Sequence, residues 1–243
     1  MKVRRVFVEG LDPSASEVQL SEDQSRYVAR VLRMRVGDPL HVFDGRGTEI
    51  AGTLLSLSRN AVVVAMRAPV AAIAPSPCSI TLIQGVSRGD RMDFTLQKAT
   101  ELGVYAVHIC FSERSEVRLS GKRLQSRMEH WQGVVVSASE QCGRADVPEI
   151  HLLEGFPETT MPDTAHWILD GGSGRTLASV LKTQPMRDHC TVAVGPEGGW
   201  AQVEVDAALR AGWEPLGLGP RTLRSETAGP AAIAAIQAAW GDW

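Results

Sequence analysis

The apolar positions of this chain change their period near residue 70. Before that point they alternate with polar ones in short stretches, RRVFVE, PLHVFDGRGTEIAGTLLSL and NAVVVAMR, the pattern of half-buried strands. The DGRG at 44–47 reads as a tight hairpin turn between two of these. One segment breaks the alternation. In SEDQSRYVARVLRM, Ser21 serves as N-cap and Val28, Val31 and Leu32 form an apolar stripe with arginines opposite, which predicts a helix. A small, partly closed β-barrel with one helix is expected over residues 1–70. RAPVAAIAPSP (67–77) holds three prolines among small residues and suits an exposed connection, so residues 71–77 are taken as a linker.

From 78 to 243 the apolar runs are solid and separated by helical patterns. SITLIQGV, YAVHICF, HWILD and CTVAV read as strands, and EPLGLG as a short strand with its loop. Helices are expected from about Arg88 to Gly103, over 121–141, over Thr176–Leu181, over AQVEVDAALRAG closed by Gly212, and over the Ala-rich ETAGPAAIAAIQAAW. Strands alternating with helices imply a parallel α/β sheet covered on both faces. A central strand of such a sheet is buried on both sides, which accounts for unbroken runs such as TVAV.

Composition narrows the function classes. The chain has 243 residues, 44% hydrophobic and 22% charged, with core enough for one large domain or two modest ones. No apolar run reaches membrane-spanning length, and the opening MKVRRVFVEG has no apolar segment behind its arginines, so neither an anchor nor a signal peptide is expected. Cys78, Cys110, Cys142 and Cys190 sit singly and the six histidines are scattered. Buried free thiols in a reducing cytosol, with no metal site and no disulfide framework, are the expectation. The net charge of −3 argues against a general nucleic-acid binder. Basic residues nonetheless cluster twice, at Arg26, Arg30, Arg33 and Arg35 and at Arg114, Arg118, Lys122, Arg123 and Arg127. Charge alone leaves these as solvated helix faces.

Three consecutive late strands end in glycine-rich turns: ILDGGSG, VAVGPEGG and LGLGPRTLR. In open parallel sheets ligands bind beyond the carboxyl ends of the strands. Glycines there let a ligand lie against bare backbone. Side by side, three such loops would make a pocket floored by N–H and C=O groups, suited to the edge of a flat heterocycle. A phosphate-cradling loop fits less well. DGGSGRTL only partly imitates the dinucleotide fingerprint and sits late in the chain, and the Walker pattern is absent.

KATELGV (98–104), ERSEVR (113–118), SEQCGR (139–144), GPEGG (195–199) and LGPRTLRSETA (218–228) occur in this order. Together they resemble the RsmE family of 16S ribosomal RNA uridine-N3 methyltransferases, within the SPOUT superfamily, over essentially the whole chain. Thr222 and Gly229 depart slightly from the pattern. The resemblance implies a PUA-like barrel over 1–70, a linker at 71–77 and a SPOUT α/β methyltransferase domain with a trefoil knot over 78–243. It implies S-adenosylmethionine as cofactor, methylation of N3 at the position equivalent to uridine 1498, a homodimer formed through a helix pair, no metal, no membrane and a cytoplasmic location.

Carried onto this chain, the resemblance places the cofactor against Leu169 and Gly171 of the first loop. The second contributes Gly195, Pro196, Glu197, Gly198 and Gly199. The third contributes Leu218, Gly219, Arg221, Leu223 and Arg224, with Thr227 and Ala228 opening the last helix. Uracil N3 attacks only once its proton leaves, so a carboxylate to take it or an arginine to stabilise the anion is required. Glu197, Glu140, Glu226, Arg114, Arg144 and Arg224 are the candidates, with Arg114, Glu140 and Arg144 expected to line the acceptor pocket. Glu140 and Arg144 also have the i,i+4 spacing of a plain surface pair. With RNA as substrate, Arg26, Arg30, Arg33 and Arg118 are expected to contact phosphate. A SPOUT enzyme acting on another RNA such as tRNA, and a non-catalytic RNA-binding or assembly protein, are the alternatives.

Overall fold

The computed structural model describes residues 3–58, 61–157, 160–161 and 163–243. Met1 and Lys2 of the opening stretch, and Asn60 at the head of the third alternating stretch, lie outside these. The chain divides into two compact units, Met1–Ala74 with Ser139–Val147, and Pro75–Ala138 with Pro148–Trp243.

In the first unit five strands form one barrel-like sheet in the order β1-β3-β4-β5-β2: β1 (Arg4–Phe7), β2 (Glu17–Gln19), β3 (Pro39–Phe43), β4 (Glu49–Leu57) and β5 (Val62–Val70). β3 and β4 form the hairpin expected around DGRG, with Phe43 opposite Glu49. β1 runs parallel to β3, while the other pairs are antiparallel. The inward residues of the alternating stretches, Val6, Leu40, Val42, Ile50, Leu54, Val62 and Val64, make one core with Leu20 and Val28.

The expected single helix is two pieces. Ser21 caps α1 (Glu22–Arg26) in a reciprocal box with Gln24, and a π-helical turn, Tyr27–Val31, follows at once. A π turn inserts a residue into the helical period. The apolar stripe is broken in consequence: Val28 is buried but Val31 is 65% exposed, and Met34 is buried instead. Val31 is therefore not part of the core face assigned to it.

A long helix, α3 (Gly121–Cys142), contributes its last turn from Ser139 to this first unit. Helix ends leave carbonyls without intrahelical donors. Arg5 also reaches this end: Nη1 donates to Ser139 O at 2.8 Å, which accepts the Gly143 N–H as well at 3.2 Å, and Nη2 to Arg144 O, two residues past the helix, at 2.8 Å. The same guanidinium pairs with Glu49 through Nε and Nη2, at 2.9 and 2.7 Å, with both side chains buried. Burial alone would raise the Glu49 carboxyl, but Arg5 and His41 outweigh it and hold it below the ordinary value.

In the second unit six strands run parallel in the order β11-β9-β10-β6-β7-β8: β6 (Ser79–Gly85), β7 (Ala106–Cys110), β8 (Glu149–Leu153), β9 (Ala165–Leu169), β10 (His189–Val194) and β11 (Glu214–Leu216). The remaining helices are α2 (Asp90–Glu101), α4 (Leu177–Thr183), α5 (Gln202–Arg210) and α6 (Ser225–Trp240). Both sheet faces are covered. Ile83, Ile168 and Ala193 pack with Trp200, Ala208 and Trp213, while Trp167 on the opposite face meets Trp240 of α6 at 5.5 Å between rings. All four cysteines are free thiols; Cys78 and Cys190 place their sulfurs 3.7 Å apart. Among the described residues no helix is long and apolar enough to cross a membrane, and no cluster of His, Cys, Asp and Glu is fit to hold a metal.

Candidate active site

Strand register decides where the glycine-rich turns lie. β9, β10 and β11 are neighbours, with Leu216 opposite Leu169 and Ile168 opposite Ala193, so the three strands end level. On the far side of β10, Val194 pairs with Gln84 of β6, which sets Gly85 beside Gly195. The three turns therefore open onto one place, a cavity of about 580 Å³.

The GPEGG turn is closed by the Gly199 N–H donating to Pro196 O at 2.9 Å, with Gly199 at φ +69°. It leaves no room for side chains at its base. A Cβ on Gly195 would stand 2.9 Å from the Gly199 carbonyl carbon, and one on Gly85 would stand 2.5 Å from both Cδ and N of Pro196. The turn is also pinned from below. Ser225, at the start of α6, donates its hydroxyl to Gly195 O at 2.7 Å and accepts from Gln84 Nε2 at 3.0 Å. The Ser87 hydroxyl joins the same buried group at 3.2 Å.

All the residues expected around the cofactor line this cavity except Gly198 and Thr227. Gly198 faces elsewhere: its Cβ position looks onto Arg114, 3.2 Å from that residue's Cβ. Thr227 is turned into the first turn of α6, its N–H bonded to Arg224 O. Sequence reasoning passed over Arg91, Asp170 and Ser225 in the lining, and Gly85 behind it. The signal was present for Ser225, which stands inside LRSETA. Arg91 and Gly85 come from α2 and β6, far from the glycine motifs in sequence, and only the fold brings them near.

The carboxylates differ in what holds them. Glu197 Oε1 accepts the Arg88 N–H at 3.0 Å and Arg91 Nη1 at 2.8 Å. Burial pushes its carboxyl up, yet these donors and its own N–H outweigh that and hold it below the ordinary value. Glu226 Oε2 is buried with no hydrogen-bond partner, and its Oε1 lies 3.7 Å from Arg91 Nε. Glu140 belongs to the first unit, where its Oε1 accepts the Phe7 N–H at 3.0 Å. Burial raises its carboxyl above the ordinary value, only partly offset by that N–H and by Arg5.

The arginines are likewise placed. Arg114, in the second unit, donates to Gly198 O at 3.1 Å and so braces the GPEGG turn. Arg144, in the first unit, pairs with Asp146, so the pair weighed for it from i,i+4 spacing gives way to a partner two residues along. Arg118 donates to Ser112 O and Glu113 O, at 3.0 and 2.9 Å. Arg221 and Arg224 line the cavity. Arg26 pairs with Glu22 and Asp23, while Arg30 and Arg33 are exposed.

Residues 74–237 match the family described as RNA methyltransferase domain, and residues 20–66 the family described as RNA methyltransferase PUA domain. The structure of ribosomal RNA small subunit methyltransferase E from Neisseria gonorrhoeae, bound to S-adenosyl methionine, is 36% identical over all of both chains, with a TM-score of 0.89. A methyltransferase from Legionella pneumophila, solved with bound SAM, is 29% identical over all of both chains, with a TM-score of 0.94. Ribosomal RNA small subunit methyltransferase E of Buchnera aphidicola is 29% identical over 99% of this chain and 98% of its own.

Proposed function

Because this chain belongs to the ribosomal RNA small subunit methyltransferase E family, we propose that it transfers a methyl group from S-adenosylmethionine to N3 of one uridine of 16S rRNA, equivalent to uridine 1498. The observation that carries the reading is the level ending of β9, β10 and β11, which gathers three glycine-rich turns around one cavity. About 580 Å³ is within the usual range for a small-molecule site. The glycines of the lining, Gly171, Gly195, Gly199, Gly217 and Gly219, let a ligand meet bare backbone. The residues therefore fit the cofactor, with the Leu169–Gly171, Gly195–Gly199 and Leu218–Arg224 turns and Ala228 as its walls.

When bound, the cofactor supplies an electrophilic sulfonium methyl. The chain's own groups must orient the acceptor and remove its N3 proton. Glu197 is poorly suited to that removal, since its donors favour the ionised form. Glu140 and Glu226 are better suited: burial raises the first, and the second has an oxygen without a partner. Arg114, Arg144 and Arg224 are the cations for the uracil anion building at O2 or O4. N3 is occupied in a base pair, so the uridine must be unpaired or flipped out.

In the same reading residues 1–70 are an RNA-gripping PUA-like domain, 71–77 a linker, and 78–243 the knotted catalytic domain. Arg26, Arg30, Arg33 and Arg118 contact phosphate. The protein works as a cytoplasmic homodimer. The experiment is methyl transfer to small ribosomal subunits from cells lacking their own uridine-N3 enzyme, with the modified base mapped by mass spectrometry. Methyl on N3 of a single 16S uridine is the expected result. Transfer only to tRNA, or cofactor binding with no transfer to any RNA, would overturn the proposal.

A further inference from the structure

Glu197 is the one charged residue in the GPEGG turn, and its carboxylate is held rather than presented. Arg88 and Arg91, which hold it, stand at the N-terminus of α2, capped by Gly89. A carboxylate there is also favoured by the helix dipole. Arg91 has a second neighbour: its Nε lies 3.7 Å from Glu226 Oε1, in the first turn of α6. Arg91, Glu197 and Glu226 all line the cavity. One guanidinium thus stands between the second glycine turn and the helix that follows the third.

We propose that Arg91 is a positioning residue, a clasp that holds the Gly195–Gly199 turn against the first turn of α6 and so sets the shape of the cofactor cavity. The proposal rests on the reading that this cavity takes S-adenosylmethionine. Without Arg91 the carboxylates of Glu197 and Glu226 would lose the guanidinium they share, and repulsion between them would favour parting the turn from the helix. The Arg91 side chain is 39% exposed, so ordinary surface pairing would matter little to global stability. What its loss changes is the distance between two walls of the cavity.

The test is isothermal titration of the full chain with S-adenosylmethionine and with S-adenosylhomocysteine, which lacks the methyl and the sulfonium charge. Arg91→Met and Glu197→Gln are each expected to weaken both ligands by a similar factor, roughly tenfold. The double variant should be no weaker than the worse single one, because either change opens the same clasp. Arg91→Lys should recover part of the affinity, since an ammonium can still reach one carboxylate. Thermal midpoints should stay close to wild type throughout. Unchanged affinity in Arg91→Met, or losses that multiply in the double variant, would overturn the clasp. So would a change confined to S-adenosylmethionine, which would mark a plain charge effect on the sulfonium, or a midpoint that collapses in Arg91→Lys as well. Failure of the wild-type protein to bind either ligand would instead refute the cofactor reading, and this inference with it.

Discussion

Gly85→Ala isolates the geometry of the GPEGG turn from any contact with ligand, because Gly85 stands behind the cavity on β6. The added methyl would lie 2.5 Å from Pro196 Cδ, 2.5 Å from Pro196 N and 2.9 Å from the Gly195 carbonyl carbon. Carbon atoms rest about 3.5–4.0 Å apart, so the turn must retreat by on the order of 1 Å. All three opposing atoms belong to backbone or to a proline ring, and no flexible side-chain end can give way. Overpacking of this kind costs about 1–3 kcal/mol. If the turn must return to its present place to receive the cofactor, that cost appears as an affinity loss of roughly 5- to 150-fold. Titration with S-adenosylmethionine measures it. A melt without ligand should show a modest fall, at roughly 2–4 °C per kcal/mol for a chain of this size. Gly133→Ala is the control, since its Cβ meets nothing within 4 Å on α3, and it should bind as wild type and melt no lower. Wild-type affinity in Gly85→Ala would refute the claim that the turn's position governs the site.

Three further outcomes follow from other parts of the molecule. Arg5→Met removes the guanidinium that pairs with buried Glu49 and donates to the carbonyls of Ser139 and Arg144, and should cost about 3–5 kcal/mol in urea unfolding, with Glu49→Leu in the same chain restoring much of it; a loss under about 1 kcal/mol would contradict the role given to Arg5. Burial, helped by the ring of His151, holds His108 below the ordinary imidazole value. Its contribution to stability is then complete above the unfolded value of about 6.5 and is lost as the pH falls through it, so His108→Phe should flatten the decline in melting temperature between pH 7.5 and 5.5, and an unaltered slope would count against it. Arg30→Glu should weaken RNA binding and lower the salt slope by about 1 while leaving cofactor affinity intact; an RNA affinity indifferent to the reversal would leave that arginine as plain solvated surface.

What could be read from the sequence follows from what each residue interacts with. β6, β9 and β10 were legible because parallel strands buried on both faces write continuous apolar runs. β8 was not, since EIHLL lies on the sheet edge with its side chains partly or fully exposed, and β2, three residues long, is too short to show a period. The glycines of the site were legible because backbone closeness demands them at fixed places after strands. Their partners were not. Gly85 matters only because register sets β6 beside β10, and Arg5 reaches carbonyls 134 and 139 residues away. The π turn at Tyr27–Val31 hid in a sequence with good helical spacing, and with it went the placement of Val31. Glu197 drew notice as a lone carboxylate among glycines, and its chemical role was easy to overvalue. Its donors at the start of α2, Arg88 just before the helix and Arg91 within it, are invisible in the motif and make it a tether.

The most direct test of the central claim is a crystal structure of this chain grown with saturating S-adenosylmethionine. The account predicts the cofactor in the cavity bounded by Leu169–Gly171, Gly195–Gly199 and Leu218–Arg224, with Pro196 still seated on Gly85. Cofactor bound at any other place, or the same cavity left empty in crystals of a protein that binds the cofactor tightly in solution, would contradict it.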